Sequence, residues 1–313
     1  MLSHIVYINI NLYKYKWIIQ CIGVDIMKSI KKYNPITATP YKYNDEYAEY
    51  EPCDQLKPYI RCFWGNRVPH YQRKTNIISQ GLVIPDTCMD IIFDVDFTFN
   101  KINGSFCGIN DRSFKIIYRN DEDRIVSSFG IRFYPWSVIY FIEDSLCDVK
   151  NGHFNVEQHF SKLKKKIEPL LFDVVKVEER IQIVQKYLMD QIHLERRNEY
   201  VMESIAKMIF HKGNIDIFHL SKDVHTSTRH LERLYKEYIG ISPKQLTSLV
   251  RYQYLWNDII SNSNFNVLDA AFKYGYTDQA HLLRDFKKYH TMTIPEAKKH
   301  ALQHVAFLQE EIS

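Results

Sequence analysis

Residues 217–233 read IFHLSKDVHTSTRHLER, and residues 268–284, about 51 positions later, read LDAAFKYGYTDQAHLLR. The two stretches align without a gap, and His230 lies over His281. Further matched pairs are Leu231 and Leu282, Arg233 and Arg284, Lys236 and Lys287. A repeat at a fixed period indicates two copies of one supersecondary unit.

Each copy has the residue pattern of a helix-turn-helix unit, in which a short helix and a tight turn precede a second helix. Gly275 suits a left-handed backbone in the turn of the second copy. Ser227 and Asp278 are placed to cap the second helix of each copy, because their side-chain oxygens accept free backbone N–H groups. Leu231 and Leu282 belong to an apolar stripe on that helix, which we expect to pack on the domain.

The opposite face of each second helix carries side chains that suit DNA binding. Arg pairs bidentately with guanine, Gln pairs with adenine, and Lys neutralises phosphate. The predicted contacts are Arg229, Glu232, Arg233 and Lys236 in the first copy and Gln279, His281, Arg284 and Lys287 in the second, with Ser227, Thr228 and Asp278 at the helix starts. The pattern therefore predicts two recognition helices that enter the major groove of double-stranded DNA.

Between the two copies, the segment from Pro243 to about Ile260 has the length of a single helix. Ser242 is a plausible cap, and proline suits the first turn of a helix. A rigid helix here would hold the two recognition helices at the separation of successive major grooves, about 34 Å. The alternative is a helical protein-interaction domain with a solvated charged face, but this does not explain why the charges recur at matched positions.

This arrangement resembles the DNA-binding domain of AraC/XylS-type bacterial transcription regulators over about residues 200–300. The matching segments are LERLYKEYIGISP at 231–243, AAFKYGYTDQAH at 270–281 and RDFKKY at 284–289. The resemblance implies base readers at Arg229, Glu232, Arg233, Gln279, His281 and Arg284. It also implies that RNA polymerase is a partner if the protein is an activator.

The sequence departs from the family pattern at the end of the second copy. Thr291 replaces the usual glycine, Ile294 occupies the usual proline position with Pro295 following, and Leu282-Leu283 replaces a commoner aromatic. These changes leave the end of the second unit undetermined. Within the first copy, Glu232 either accepts from cytosine N4 or orients a neighbouring cation such as Arg229.

The first half of the chain favours short strands with turn signals between them, which is typical of a small barrel or sandwich. The strand-like stretches are 81–84, 88–95, 116–118 and 125–133, and Asn103-Gly104 is a hairpin-type dipeptide. The predicted fold class is α+β, with an N-terminal small β barrel or sandwich. An all-α domain follows, with two helix-turn-helix units joined by a linker helix.

Two segments of this half, 82–93 and 129–135, resemble the small β-rich, cupin-like sensor domain that precedes the DNA-binding domain in one subgroup of the family. The resemblance implies a possible small-molecule effector or a homodimer contact. Gly130 is expected to serve backbone fit, Arg132 to form an ion pair, and Pro135 to end a strand.

The predicted organisation has an extension at 1–40, a β-rich regulatory domain at 41–165, a helical connector at 166–200, the DNA-binding domain at 201–303 and a tail at 304–313. Translation is hypothesised to start at Met27, which would leave residues 1–26 outside the native protein. Ile181 to Ile192 has helical apolar spacing, which fits packing within its own subunit or a dimer seam.

Composition excludes several protein classes. The chain has 313 residues, 45% hydrophobic and 25% charged, which fits a globular protein rather than a disordered or fibrous one. Its net charge of +4 arises between residues 203 and 299, where about 14 basic residues face about 10 acidic ones. The six cysteines form no C-x-x-C motif and predict reduced thiols in a cytoplasmic protein. The apolar runs before Met27 are too broken for a signal peptide or a membrane span.

The alternative function is a cupin-like metalloenzyme, or a ligand carrier, with a helical protein-interaction tail. A metal site needs several converging imidazoles, yet residues 41–160 contain only His70, His153 and His159. Asp86, Asp90 and Asp94 are expected to cap a turn or face solvent. No phosphate loop or nucleophile elbow is present. We therefore predict no catalysis, no metal and no cofactor.

Overall fold

The structure is a computed structural model that describes residues 30, 32–37, 48–66, 79–118, 125–142 and 144–301. The hypothesised start at Met27, the segment 1–26 and the tail at 304–313 lie outside the described residues. Within the described part of the chain, β-strands occupy the first half and helices the second. This is the order that the sequence predicts, and the fold class is confirmed.

Among the residues that the structure describes, eight strands form two antiparallel sheets. The six-stranded sheet has the order β1-β2-β7-β4-β5-β8, and β3 pairs with β6 in a separate two-stranded sheet. Their bounds are β1 Ala48–Tyr50, β2 Ile60–Gly65, β3 Ser79–Val83, β4 Met89–Asp96, β5 Lys101–Cys107, β6 Phe114–Tyr118, β7 Val126–Phe133 and β8 His153–Asn155.

Alternate residues of the large sheet point to opposite faces. On one face, Phe93 of β4, Phe106 of β5 and Phe129 of β7 are completely buried in the core. On the other face, Arg132 forms an ion pair with Asp90 at 2.9 Å, as expected for a buried cation that needs a partner. Asp90 was predicted to face solvent, and this is wrong because Arg132 holds it inside.

The Asn103-Gly104 dipeptide does not form a hairpin turn. It lies inside β5, where Asn103 pairs with Asp94 and Gly104 with Phe93. The turn before β5 falls at 97–100 instead. A Cβ on Gly104 would lie 2.5 Å from Val156, so glycine is required here by close packing rather than by a turn.

Eight helices follow among the described residues. They are α1 Glu157–Asp173, α2 Val177–Asp190, α3 Glu199–Phe210, α4 Ile217–Asp223, α5 Thr228–Tyr238, α6 Pro243–Ser261, α7 Val267–Lys273 and α8 Gln279–His290. A further helical stretch covers 294–301. The first helix, α1, begins at Glu157, which is nine residues before the predicted start of the helical connector at residue 166.

The helices α1 and α2 cover the apolar face of the large sheet. Ile181, Val184 and Leu188 of α2 are buried within this chain, which accounts for their helical spacing by packing inside one subunit. Arg180 is also buried and donates to the carbonyl oxygens of Leu171 and Val174 at the end of α1. These carbonyls have no partner within their own helix, so a buried cation closes the α1 terminus.

The two helix-turn-helix units are α4–α5 and α7–α8, with α6 between them. Their first helices are 50 positions apart, since Asp216 and Asn266 are the two N-caps. Their second helices are 51 positions apart, since Ser227 and Asp278 are the N-caps. The gapless alignment is therefore correct for the second helices, whereas the turn of the second unit is one residue longer. No described helix is long and apolar enough to cross a membrane.

Candidate nucleic-acid interface

The helix α5 has a buried side and an exposed polar side. Leu231, Leu234 and Tyr235 are buried against the domain. Burial also raises the pKa of Tyr235, whose hydroxyl pairs with Ser204 Oγ at 2.8 Å and so ties α5 to α3. The four polar residues predicted on the opposite face, Arg229, Glu232, Arg233 and Lys236, are all exposed.

The start of α5 is fixed by its cap. The Ser227 side chain accepts a hydrogen bond from the His230 amide at 3.2 Å, which confirms the predicted capping role. Thr228 is half-buried, and its hydroxyl lies 3.1 Å from Ser221 Oγ in the preceding helix. The Arg233 guanidinium contacts His230 Nδ1 at 3.1 Å.

The helix α8 repeats this arrangement. Its buried stripe contains Leu282, Phe286 and Tyr289, while Gln279, Arg284 and Lys287 are exposed on the other side. His281 is half-buried, with its ring edge-on to Tyr276 at 5.2 Å.

Asp278 caps α8 by accepting from the His281 amide at 2.6 Å. Its carboxylate therefore serves the helix terminus, as the sequence predicts. Glu232 is exposed, and no ion pair joins it to Arg229 or Lys236 within the described residues.

One exposed cation on α8 was missed by the sequence reasoning. Lys288 lies beside Lys287 in the last turn, with its Nζ 4.8 Å from the centre of the Tyr289 ring. The signal was available, since the sequence carries two adjacent lysines where a positive charge suits the helix C-terminus.

The linker helix α6 has the predicted start. Ser242 and Gln245 form a capping box, and Pro243 occupies the first turn. The helix is buried along much of its length, including Trp256, which is completely covered. A single rigid helix therefore connects the two units.

Comparison with known protein families identifies the helical half of the chain. A family model described as a helix-turn-helix domain matches residues 220–300, which include both recognition helices. The C-terminal half of the chain therefore contains a helix-turn-helix domain over these residues. A second model, of a domain of unknown function (DUF6597), matches residues 48–155.

Several solved structures are similar to parts of the chain. A Chromobacterium violaceum regulator with an AraC-type DNA-binding domain is 19% identical over 33% of this chain and 93% of its own, with a TM-score of 0.31. ToxT from Vibrio cholerae is 12% identical over 77% of this chain and 98% of its own, with a TM-score of 0.39. The xylose-binding transcription activator XylR is 13% identical over 39% of this chain and 37% of its own, with a TM-score of 0.29. None of the curated proteins compared with the chain matches it significantly.

The second helix-turn-helix unit ends without the glycine that commonly follows a helix. Thr291 takes the left-handed conformation that this glycine normally adopts, with φ +63° and ψ 0°. Gly275 has φ +67° in the turn, as predicted, whereas the equivalent residue of the first unit is His225 at φ +55°.

The β-rich domain contacts the last turn of both recognition helices. The Leu146 amide donates to the Glu237 carbonyl of α5 at 2.8 Å. The amide and the hydroxyl of Ser113 both donate to the Tyr289 carbonyl of α8, at 2.9 and 2.7 Å. Carbonyl groups at a helix C-terminus lack intrahelical partners, so the β-rich domain satisfies them here.

Proposed function

We propose that the protein reads a double-stranded DNA site through two adjacent major grooves, with α5 in one and α8 in the next. The observation that carries the proposal is the matched exposure of polar and basic side chains on both helices, opposite a buried apolar stripe. A helix of this kind docks its apolar side on the domain and places its polar side in the groove.

Within this proposal, the long exposed side chains read the bases. Arg233 and Arg284 contact guanine O6 and N7, and Gln279 contacts adenine N6 and N7. The remaining base readers are Arg229, Glu232 and His281. Lys236 and Lys287 contact phosphates, while Ser227, Thr228 and Asp278 hold the helix starts close to the DNA backbone.

The β-rich domain is proposed to modulate DNA binding. Its contacts with the ends of α5 and α8 support this role, because a change in the domain would alter the position of both recognition helices. The modulator is a small-molecule effector or contact with a second copy of the chain. We further propose that the protein works in the cytoplasm, acts by binding rather than by catalysis, and contacts RNA polymerase if it activates transcription.

Selection of bound duplexes from a random library, using the full chain, tests the proposal. We expect a two-part motif whose halves are one helical turn apart, about 10–10.5 base pairs. Enrichment of no motif would contradict specific reading. A chain that binds no DNA but retains a stoichiometric metal would favour the alternative of a cupin-like enzyme.

A further inference from the structure

Besides α6, a second connection joins the two helix-turn-helix units. We call it the inter-unit junction. It contains Gly213 and Asn214 before α4, Arg251 of α6, Gly275 and Tyr276 in the turn between α7 and α8, and Asp285 of α8.

The junction begins where the loop before α4 lies on the backbone of α6. Gly213 has φ +73°, and a Cβ there would lie 2.5 Å from both the Arg251 amide nitrogen and the Thr247 carbonyl oxygen. The Arg251 side chain fixes this approach by donating from Nε to the Gly213 carbonyl at 3.0 Å. The first unit is therefore seated directly on the middle of the linker helix.

The same loop reaches the turn of the second unit. A Cβ on Gly275 would lie 2.0 Å from Asn214 Oδ1, so the Asn214 side chain fills the space that any other residue at 275 would occupy. The left-handed backbone at 275, with φ +67°, favours glycine, and the exposed Asn214 side chain lies against it.

Arg251 extends the connection to α8. Its guanidinium lies 5.1 Å from the centre of the Tyr276 ring, within the range of a cation–π contact. The Tyr276 hydroxyl donates to Asp285 Oδ2 at 3.1 Å. A continuous path thus runs from Gly213, through Arg251 and Tyr276, to the middle of the second recognition helix.

The first unit has no counterpart of this contact. The backbone hydrogen bonds show that Thr226 is the equivalent of Tyr276. The Tyr276 amide donates to the Ala271 carbonyl, and the Thr226 amide donates to the Ser221 carbonyl, in each case five residues earlier. The extra residue in the second turn, Thr277, separates Tyr276 from the cap Asp278. Where the first unit has Thr226, the second therefore has a large side chain that contacts both Arg251 of α6 and Asp285 of α8.

We propose that the inter-unit junction sets the separation and relative twist of α5 and α8, so that Arg251 and Tyr276 determine which half-site spacing the protein accepts. They are positioning residues, since they act through Asp285 and Gly213 rather than on DNA. The inference rests on the proposed function, because spacing has meaning only if both helices enter grooves. Each added base pair moves the second half-site by about 3.4 Å along the axis.

The test uses the full chain and duplexes carrying the two selected half-motifs at centre-to-centre spacings from 9 to 12 base pairs. Rigid linkage of two sites strengthens binding only when the geometry permits simultaneous contact. We expect wild-type affinity to fall about 10-fold or more when the spacing departs by one base pair from the optimum. Tyr276→Phe removes only the hydroxyl, and Arg251→Ala removes both junction contacts of that side chain.

We expect both variants to flatten the spacing profile, to about 3-fold or less per base pair, while the base preferences within each half-motif stay unchanged. Tyr235→Phe is the matched control, because it removes a buried tyrosine hydroxyl that pairs with Ser204 of α3, outside the inter-unit junction. It should keep the wild-type profile.

Three results would overturn the inference. If both junction variants keep the wild-type profile, or weaken binding equally at every spacing, the junction serves stability alone. If Tyr235→Phe flattens the profile as strongly, the effect belongs to loosened packing in general. A wild-type protein that selects no two-part motif overturns the proposed function together with this inference, and only that result does so.

Discussion

Gln253 of α6 and the backbone of Ile36 form a reciprocal pair of hydrogen bonds. The Ile36 amide donates to Gln253 Oε1 at 2.7 Å, and Gln253 Nε2 donates to the Ile36 carbonyl at 3.0 Å. The same Nε2 also donates to the Pro85 carbonyl. The linker helix is thus bonded to the β-rich domain on one side. Arg251 lies two residues before Gln253, on nearly the opposite side of α6, and there it joins the two helix-turn-helix units.

Gln253→Met should reduce the free energy of unfolding by about 1–3 kcal/mol, because Met has similar length but leaves buried backbone groups without partners. The measurement is chemical denaturation of the full chain. Gln279→Met is the matched control, since Gln279 is exposed on α8 and its replacement should change stability by about 0.5 kcal/mol or less. Equal losses in both variants would contradict the role assigned to Gln253.

Arg233→Ala and Arg284→Ala should each weaken binding to the selected site by about 1–3 kcal/mol and relax base preference at one position. The reason is the loss of a bidentate contact with guanine. Titration of the selected duplex and of single-base variants measures both effects. An unchanged preference at every position would remove these residues from the base readers.

Lys287→Ala should behave differently from the arginine variants, because a phosphate contact carries no sequence information. We expect a similar loss of affinity for all sequences and a salt dependence lowered by about one counterion. Affinity measured against salt concentration provides the readout. A loss confined to the selected sequence would instead make Lys287 a base reader.

Thr291→Gly should stabilise the protein by about 0.5–1 kcal/mol, because a β-branched residue is strained at φ +63° whereas glycine is not. Thr293→Gly, two residues later, should instead destabilise the protein. The Thr293 hydroxyl lies 2.7 Å from Glu296 Oε2 and accepts from the Glu296 amide at the start of the next helix. Thermal unfolding of the two variants measures the contrast, and destabilisation by Thr291→Gly would refute it.

Acid should destabilise the helix-turn-helix domain through His290. Burial among Trp256 and Phe286, together with the nearby His300, lowers the pKa of His290 to about 4. In the unfolded chain this histidine has its ordinary pKa, near 6.5. The unfolded state therefore binds more protons than the folded state between pH 4 and pH 6.5. The contribution of His290 to the free energy of unfolding is fully present above pH 6.5. As the pH falls from 6.5 to 4, the free energy of unfolding decreases by on the order of 2–3 kcal/mol.

His290→Phe tests this pH dependence, because it keeps an aromatic ring and removes the titrating group. Its unfolding free energy should change less between pH 6.5 and 4.5 than that of the wild type, even though the Tyr252 hydroxyl loses its partner at Nδ1. Parallel pH profiles for the two proteins would show that another group is responsible.

The recognition units were predictable because their signals are local. Ser227 and Asp278 mark helix starts by the side-chain chemistry of a cap, and Gly275 marks the turn by its backbone freedom. The apolar stripe on each helix follows from a period of 3.6 residues. The repeat of all these signals in two copies indicated two recognition helices and hence DNA binding.

Other predictions failed because they depend on distant partners. Asn103-Gly104 has the composition of a hairpin, but pairing with β4 and the close approach of Val156 hold it within a strand. Asp90 follows an alternating pattern that suggests solvent, but Arg132 lies opposite it on β7.

Residues close together in the chain are enough to predict the two recognition helices, their caps, the linker helix and the order of the β-rich and helical halves. How these parts are held together depends on contacts between residues far apart in the chain. Arg251 bonds Gly213, Gln253 bonds Ile36, and Ser113 bonds Tyr289 across separations of 38, 217 and 176 residues. Such contacts form because folding buries backbone polar groups, and each buried group must find a partner wherever the chain supplies one.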